Sequence, residues 1–437
     1  MKAKKYLWVL ATVYLAYFTQ GIQALVLSQN KVSFYTQWGF TNADAGAAAV
    51  SAAIAFTGLG KFVSVWVCGE ISDRIGRKPM VFVGALAYVL SFLGLLVTSN
   101  VVVANVCAFG LGAATSCFDG ASYPAVQESW VKAPGTALIL IKGFISVSGL
   151  MYPLLVVSLT QAGNWKMGII IPLILSVLTF LIAIITPFSY DEEMKRRKTD
   201  PAAKAAYEKE LAEKKHVLDA DAKKAAARFK STPPKFVVVG CAVYGFIAMA
   251  TMYSAQQYIK AFGKVVVGMS DMSAAGLTSV YTAGSLIAVI VWGFFMAKLR
   301  WRTLKVLLID LAGSVLGYGL VCIVRVPAMV YLATFMIGLF AAGGALQCGV
   351  SLMQEFHPGN KGRNLGIYYT FMGAASYAIP YIQSWLIGSS SEASATVSCL
   401  LLNLGMAVVG LFFMIYLSVN YKKWFGVSVM SKAGGDD

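Results

Sequence analysis

Four charged side chains interrupt long apolar stretches of this sequence: Lys61, Asp119, Lys142 and Asp310. A charge at membrane depth is costly, so such residues are usually functional or held in pairs. Asp119 could bind a proton, and the Lys142 ammonium could hold an anionic or hydroxyl-rich solute. The alternative is a fixed structural pair, and the sequence leaves both interpretations open.

Asp119 and Lys142 are predicted to lie at a similar depth. Asp119 is nine residues before Glu128, about 13 Å along a helix, and Lys142 is seven residues after Gly135, about 10 Å. The two helices are consecutive and antiparallel, so an Asp119–Lys142 ion pair is expected. For the other two charges a structural role is favoured.

Lys61 lies near a helix end, where its side chain can reach the surface. Asp310 is about one and a half turns from Lys305 and is expected to be neutral or paired with that lysine.

The elements that position these residues are apolar helices. The chain of 437 residues is 58% hydrophobic and only 13% charged, against about 25% charged residues in soluble domains. A helix needs about 20 apolar residues to cross a bilayer. Twelve such runs predict an all-α membrane protein. The predicted spans are 6–28, 44–68, 79–98, 101–127, 135–160, 166–187, 235–262, 272–297, 303–323, 327–352, 363–388 and 393–419.

The spans fall into two sets of six, predicted as bundles over 1–187 and 235–437. Between them, 188–234 is charged and rich in Ala, Lys and Glu, which predicts a solvated linker with surface helices. A shift of 227 residues aligns Gln127-Glu128 with Gln354-Glu355 and Pro153 with Pro380. This similarity predicts two pseudo-symmetric halves, a recurrent design among transporters.

The charge distribution predicts the orientation. With a cytoplasmic N-terminus, 29 of the 36 lysines and arginines fall on the inside and five on the outside. Positive residues concentrate on cytoplasmic loops, so both termini are expected in the cytoplasm and the chain in the inner membrane. The net charge of +16 is therefore assigned to these loops rather than to nucleic acid binding.

After span 2 the sequence reads GEISDRIGRK. It resembles the signature loop of the major facilitator superfamily, and every defined position is filled: Gly69, Asp73, Arg74, Gly76, Arg77 and Lys78. The resemblance covers essentially the whole chain and implies twelve helices in two six-helix bundles. It also implies that this loop latches the two halves when the carrier faces outward.

The chemistry of the motif fits a latch. A glycine lets another helix approach closely, and Asp73 can lie near the positive N-terminal end of a neighbouring helix. Arg77 is expected to pair with Glu128. In the second half, Glu355 with Arg363 is expected to form a second cluster. The alternative is that these charges only fix the topology.

Family precedent places spans 1, 4, 7 and 10 around a central cavity. Amide and phenol groups there suit a polar solute, although each alone could equally be packing. Together with Asp119 and Lys142, the candidate substrate-binding residues are Gln20, Gln23, Tyr244, Tyr253, Gln256, Gln257, Gln347, Ser376 and Tyr377.

These observations favour a secondary transporter that moves a small polar organic solute, sugar-like or an organic anion, by alternating access. Coupling to protons is expected, with Asp119 as the proton-binding group. A drug or metabolite efflux antiporter is the alternative, but span 5 lacks the Gly-Pro step of drug–proton antiporters. A sensor and a membrane enzyme are disfavoured, because the linker is small and no catalytic constellation is present. The protein is expected to act as a monomer in the lipid bilayer, without cofactor or metal.

Overall fold

The computed structural model describes residues 6–130, 134–358 and 361–433. The predicted all-α class is confirmed. Within these ranges, eleven helices are long and apolar enough to cross a membrane. The predicted span 11 is the 29-residue helix Lys361–Ser389, about 43 Å long at 1.5 Å per residue. The chain is therefore a multi-pass membrane protein.

The first compact unit comprises residues 1–208 and 380–392. Spans 1 to 6 and a short connecting helix after span 1 belong to it, and the first part of the linker forms a further helix. The bounds are Leu7–Gln29, Lys31–Gln37, Ala43–Ile75, Arg77–Val97, Val101–Ser129, Pro134–Gln161, Met167–Ile185 and Ser189–Thr199.

The second compact unit comprises residues 209–379 and 393–437. The division thus falls inside the linker rather than at its ends. The helices that lie wholly or mainly in this unit are Pro201–Ala226, Lys235–Val265, Asp271–Ala297, Thr303–Ile323, Pro327–Ile337, Ala345–Phe356, Lys361–Ser389 and Glu392–Phe425. The last of these helices, Glu392–Phe425, has 34 residues and is span 12.

Polar contacts explain why residues 380–392 cluster with the first unit. Glu392 forms an ion pair with Lys31, and its backbone N–H donates to Asp44 Oδ1 at 2.7 Å. Ser384 Oγ donates to the Ala48 carbonyl at 2.8 Å. These contacts hold the end of span 11 against the start of span 2.

Spans 2 and 4 pack backbone to backbone. A Cβ at Gly112 would overlap the Thr57 carbonyl oxygen, and one at Gly60 would overlap the Phe109 carbonyl oxygen. Small residues permit this approach between helices in a membrane, where van der Waals packing rather than the hydrophobic effect drives helix association. The contact fixes the position of Lys61 and Asp119 on these two helices.

Gly112→Ala is expected to destabilise the protein by about 1–3 kcal/mol, because the added methyl has no space. Gly143→Ala is the matched control, since a Cβ there would meet no atom within 4 Å. Thermal unfolding of the purified variants measures the difference. Equal melting temperatures would contradict the close packing of spans 2 and 4.

Span 10 is interrupted, which the sequence did not predict. Its first part, Pro327–Ile337, passes into a π-helical turn at Gly338–Ala342. The helix then restarts at Ala345 after the bend at Gly343 and Gly344. A Cβ at Gly338 would overlap the Tyr281 carbonyl oxygen. Close packing on span 8 therefore requires glycine at the break.

Candidate functional site

The signature motif is mostly helical rather than a loop. Span 2 continues to Ile75, and span 3 begins at Arg77. The turn consists of Gly76 alone, with φ of 113°, a backbone conformation that favours glycine. The predicted span 2, 44–68, is therefore shorter than the helix, because the prediction ended where the charged residues at 70–74 interrupt the apolar run.

Arg77 is the centre of the motif and is only 6% exposed. Its Nη1 donates to Asp73 Oδ1 at 2.5 Å and to Ser72 Oγ at 3.0 Å. Its Nη2 lies 3.5 Å from Glu128 Oε1. The guanidinium also lies 4.2 Å from the Tyr190 ring centroid. One arginine thus joins spans 2, 3 and 4 to the helix Ser189–Thr199.

Asp191 is the carboxylate that caps a helix here, a role that was expected for Asp73. Its Oδ2 accepts from the backbone N–H of Arg77 at 3.0 Å and of Lys78 at 3.2 Å. These are first-turn donors of span 3, where negative charge is favourable. Sequence reasoning missed Asp191, although it is the first acidic residue after span 6.

The remaining motif residues differ in their contacts. Lys78 Nζ donates to the carbonyls of Ile184 at 2.8 Å and Thr186 at 3.0 Å, the end of span 6. Arg74 pairs with Glu70 on the exposed face of span 2. Gly69 has open space where a Cβ would lie. No other helix therefore packs against the side of Gly69 where a Cβ would lie, although a close approach was expected there.

Asp119 pairs with Lys61 and not with Lys142. The Lys61 Nζ lies 3.1 Å from Asp119 Oδ2, and the buried Tyr17 hydroxyl donates to Asp119 Oδ1 at 2.9 Å. The predicted Asp119–Lys142 pair is therefore wrong, and the structural role expected for Lys61 stays a prediction. Equal depth does not fix which face of a helix a residue occupies, and span 2 packs directly on span 4.

Lys142 nevertheless belongs to the same cluster. Its side chain is half-buried and lies close enough to Lys61 for the two charges to repel. Two ammonium groups therefore accompany one carboxylate, and the cluster has a net charge of about +1 when all three are ionised. Charges at this depth are costly, so a negatively charged partner would stabilise the cluster.

Polar groups of spans 1, 3 and 4 continue from this cluster. Thr115 Oγ1 donates to Gln23 Oε1 at 3.2 Å, and the Tyr88 hydroxyl lies 2.9 Å from Thr115 Oγ1. Gln23 is 6% exposed. The Gln20 Oε1 is buried without a hydrogen-bond partner in the described part of the chain. Gln20 is thus an acceptor still available to a ligand.

The candidates on span 7 do not form one site. Tyr244 and Gln256 are twelve residues apart, about 18 Å along the helix, which exceeds the size of a small solute. Tyr244, Tyr253 and Gln257 are buried, and Gln256 is half-buried. Tyr244 therefore cannot contact the same small molecule as Gln256 and Gln257.

The candidates on spans 10 and 11 differ in exposure. Ser376 is buried and donates to the Met372 carbonyl at 3.2 Å, so its hydroxyl has a partner within its own helix. Tyr377 is half-buried and Gln347 is exposed. Of these three side chains, Gln347 is the most accessible to a ligand.

Glu355 accepts a hydrogen bond from the Tyr421 hydroxyl of span 12. Arg302 Nη1 donates to the same hydroxyl at 3.4 Å. The side chain of Arg363 lies outside the described residues, so the Glu355–Arg363 pair stays a prediction. Tyr421 and Arg302 are thus further members of the cluster around Glu355.

Asp310 is fully buried and does not pair with Lys305, whose ammonium lies 4.0 Å from the Trp301 ring centroid. Of the two alternatives expected for Asp310, a neutral carboxyl or a pair with Lys305, the pair is therefore wrong. In the described ranges, no group of three or more His, Cys, Asp and Glu side chains could hold a metal ion. The seven cysteines are free.

Comparisons with known proteins agree with this architecture. A sequence profile of the Major Facilitator Superfamily matches residues 9–309. The chain is 30% identical over 380 residues to the inner membrane transport protein YdiM of Escherichia coli, covering 86% of both chains. It is 30% identical over 118 residues to the multidrug transporter MdfA of Edwardsiella piscicida, covering 26% and 28%. The crystal structure of a D-xylose-proton symporter shares the fold, with a TM-score of 0.69, 15% identity and 94% and 97% coverage.

Proposed function

Since the chain belongs to the major facilitator superfamily and is a membrane transporter, we propose that it moves a small polar organic solute by proton-coupled alternating access. The membrane is the bacterial inner membrane, as the name of the YdiM relative states for that protein. Both termini face the cytoplasm, because this orientation places most lysines and arginines inside. The working unit is a monomer.

The cluster of Asp119, Lys61 and Lys142 is the observation on which this proposal rests. Its net positive charge in a low-dielectric site favours a negatively charged solute over a neutral sugar. Lys142 is the primary anchor, because Lys61 is already paired with Asp119 at 3.1 Å. Of the two solute classes, the organic anion is therefore the better fit.

Asp119 provides the coupling. Protonation of Asp119 would neutralise the carboxylate and release Lys61, so a second ammonium would become available to the anion. Solute and proton would then bind with positive cooperativity, because each removes a charge conflict that the other would face. The Tyr17 hydroxyl, bonded to Asp119 Oδ1, would hold the carboxyl in place in both states.

The test starts with a panel of organic acids and sugars, screened for thermal stabilisation of the purified protein. Lys142→Ala is expected to weaken binding of the stabilising acid at least about tenfold, which corresponds to about 1.4 kcal/mol. Lys166→Ala, which removes an exposed lysine, is expected to leave the affinity unchanged. Stabilisation by neutral sugars alone, with no effect of Lys142→Ala, would contradict the anion proposal.

Efflux of drugs is the second candidate function, and the similarity to MdfA over about a quarter of the chain favours it. Many such substrates are lipophilic cations, which two lysines would repel. Energised efflux of ethidium from cells expressing the protein, with resistance to it, would support this candidate. Uptake of an organic acid by the same cells, without ethidium efflux, would exclude it.

The Arg77 cluster is proposed as the latch. Arg77 contacts Asp73, Glu128 and Tyr190 around the Gly76 turn. These contacts can form or break together when the helix ends move, because all three partners contact the same guanidinium. Gly69, Arg74 and Lys78 complete the motif, and Glu355 with Arg363 is proposed as its counterpart in the second half.

A further inference from the structure

At least five buried polar side chains of the second unit have no hydrogen-bond partner in the described part of the chain, among them the Thr334 hydroxyl. Four others lie close to the second part of span 10. They are the carboxyl of Asp310, the hydroxyls of Tyr244 and Tyr368, and the indole N–H of Trp292. Asp310 and Tyr368 are 0% exposed, Tyr244 is 1% and Trp292 is 7% exposed. Buried polar groups are nearly always paired, so four unpaired groups close to one stretch of helix indicate a site.

These groups lie along the second part of span 10. A Cβ at Gly344 would be 3.2 Å from Asp310 Oδ2 and 2.8 Å from Trp292 Cδ1. A Cβ at Gly349 would overlap the Tyr368 hydroxyl and lie 2.9 Å from Tyr244 Cε1. Gly344 and Gly349 are five residues apart, about 7.5 Å along the helix. The carboxyl therefore lies at the start of this helix, and the two phenols lie further along it and about 140° around its axis.

Asp310 cannot be an ordinary carboxylate in this environment. No lysine, arginine or histidine in the described ranges forms an ion pair with it. The Lys305 ammonium lies over the Trp301 ring instead. The indole of Trp292 lies beside the carboxyl, because both are close to the position of a Cβ on Gly344. An unpaired buried charge is so costly that the group binds a proton instead.

We propose that Asp310 is a proton-binding site of the second bundle, placed at the break in span 10. This site is separate from Asp119, whose Oδ2 lies 3.1 Å from Lys61 Nζ. The two bundles would thus each contain one carboxyl for protons. The proposal deepens the proton coupling of the proposed function, but proton binding itself needs no solute.

The break in span 10 also accommodates the deprotonated form. The helix Ala345–Phe356 begins at Gly344 without a side-chain cap. The first N–H groups of a helix lack partners within it and form its positive end. Asp310 Oδ2 lies beside Gly344, so these donors can stabilise the carboxylate once the proton leaves. A site of this kind can both hold and release a proton.

Infrared difference spectroscopy of the full-length protein in lipid nanodiscs tests the site with protons alone. At pH 7 the wild type is expected to show the C=O stretch of a protonated carboxyl, which disappears in Asp310→Asn and persists in Asp119→Asn. Asp310→Glu should retain the band at a shifted frequency. Tyr244→Phe and Tyr368→Phe, which leave the carboxyl in place, should keep the band.

An identical band in wild type and Asp310→Asn would overturn the proposal. If Asp310→Asn does not fold, Asp310→Glu decides, since an unshifted band would equally exclude residue 310 as its source. Failure of the solute screen would count against the proposed function and leave these spectra unaffected. The two proposals can therefore fail separately.

Discussion

Asp119→Asn is expected to abolish uphill solute uptake in proteoliposomes while leaving counterflow of the same solute. Asparagine keeps the shape of the side chain and can still accept the hydrogen bond from Tyr17, which lies 2.9 Å from Asp119 Oδ1. It cannot bind or release a proton, so the pH gradient no longer drives accumulation. Solute can still exchange, because exchange requires no net proton movement.

The measurement is the ratio of internal to external solute under an imposed pH gradient. This ratio should fall to about one in Asp119→Asn, the value for a solute with no driving force. Tyr17→Phe is the matched control, because it removes the hydrogen bond but keeps the carboxyl. It should slow uptake and still accumulate solute.

Loss of both uphill uptake and counterflow in Asp119→Asn, with normal expression, would contradict a coupling role. Asp119 would then be a structural or substrate-binding residue. The variant also removes the carboxylate that lies 3.1 Å from Lys61 Nζ. If Asp119 is structural, the variant should have a lower melting temperature. If Asp119 binds the solute, the variant should fold normally and lose solute binding.

The sequence predicts the helices well because their determinants are local. Long apolar runs and the positions of lysines and arginines require no knowledge of tertiary contacts. The pairing of Arg77 with Glu128 could also be anticipated, since both lie at helix ends that the connectivity brings to the same level. The structure places their side chains 3.5 Å apart.

Rotation about the helix axis is harder to predict. The depth of Asp119 and Lys142 follows from residue counts, but the side that each presents depends on packing. Spans 2 and 4 meet at Gly60 and Gly112, and this contact brings Lys61 to Asp119. The glycines are visible in the sequence, but small residues occur on many helix faces.

Contacts between distant segments are the other limit. Asp191 binds the start of span 3 from more than 110 residues along the chain, and no spacing pattern connects the two. The break in span 10 follows from three glycines that must fit against span 8. Its significance for Asp310 appears only when spans 9 and 10 are seen together.

Arg77→Ala is expected to cost about 3 kcal/mol of stability and to reduce transport at least about tenfold. Removing one partner of a buried ion pair leaves the other charge without compensation. Arg77 is 7% exposed at its side chain and Glu128 28%, whereas Asp73 is 66% exposed and can be solvated. The expected loss is therefore near the lower end for a buried pair.

Arg74→Ala is the matched control within the same motif. Arg74 pairs with Glu70 four residues earlier, and their side chains are 74% and 52% exposed. Such surface pairs contribute less than about 1 kcal/mol, so the melting temperature should hardly change. A motif that only fixed topology by its charge would instead respond equally to the loss of either arginine.

Arg77→Lys separates charge from geometry. Lysine retains the positive charge but cannot reproduce the planar, forked contacts to Asp73 and Glu128 or the stacking on Tyr190. We expect this variant to insert and fold with the same topology and to transport at a rate close to that of Arg77→Ala. Full transport activity of Arg77→Lys would show that charge alone is sufficient, and the latch would then have to be assigned elsewhere.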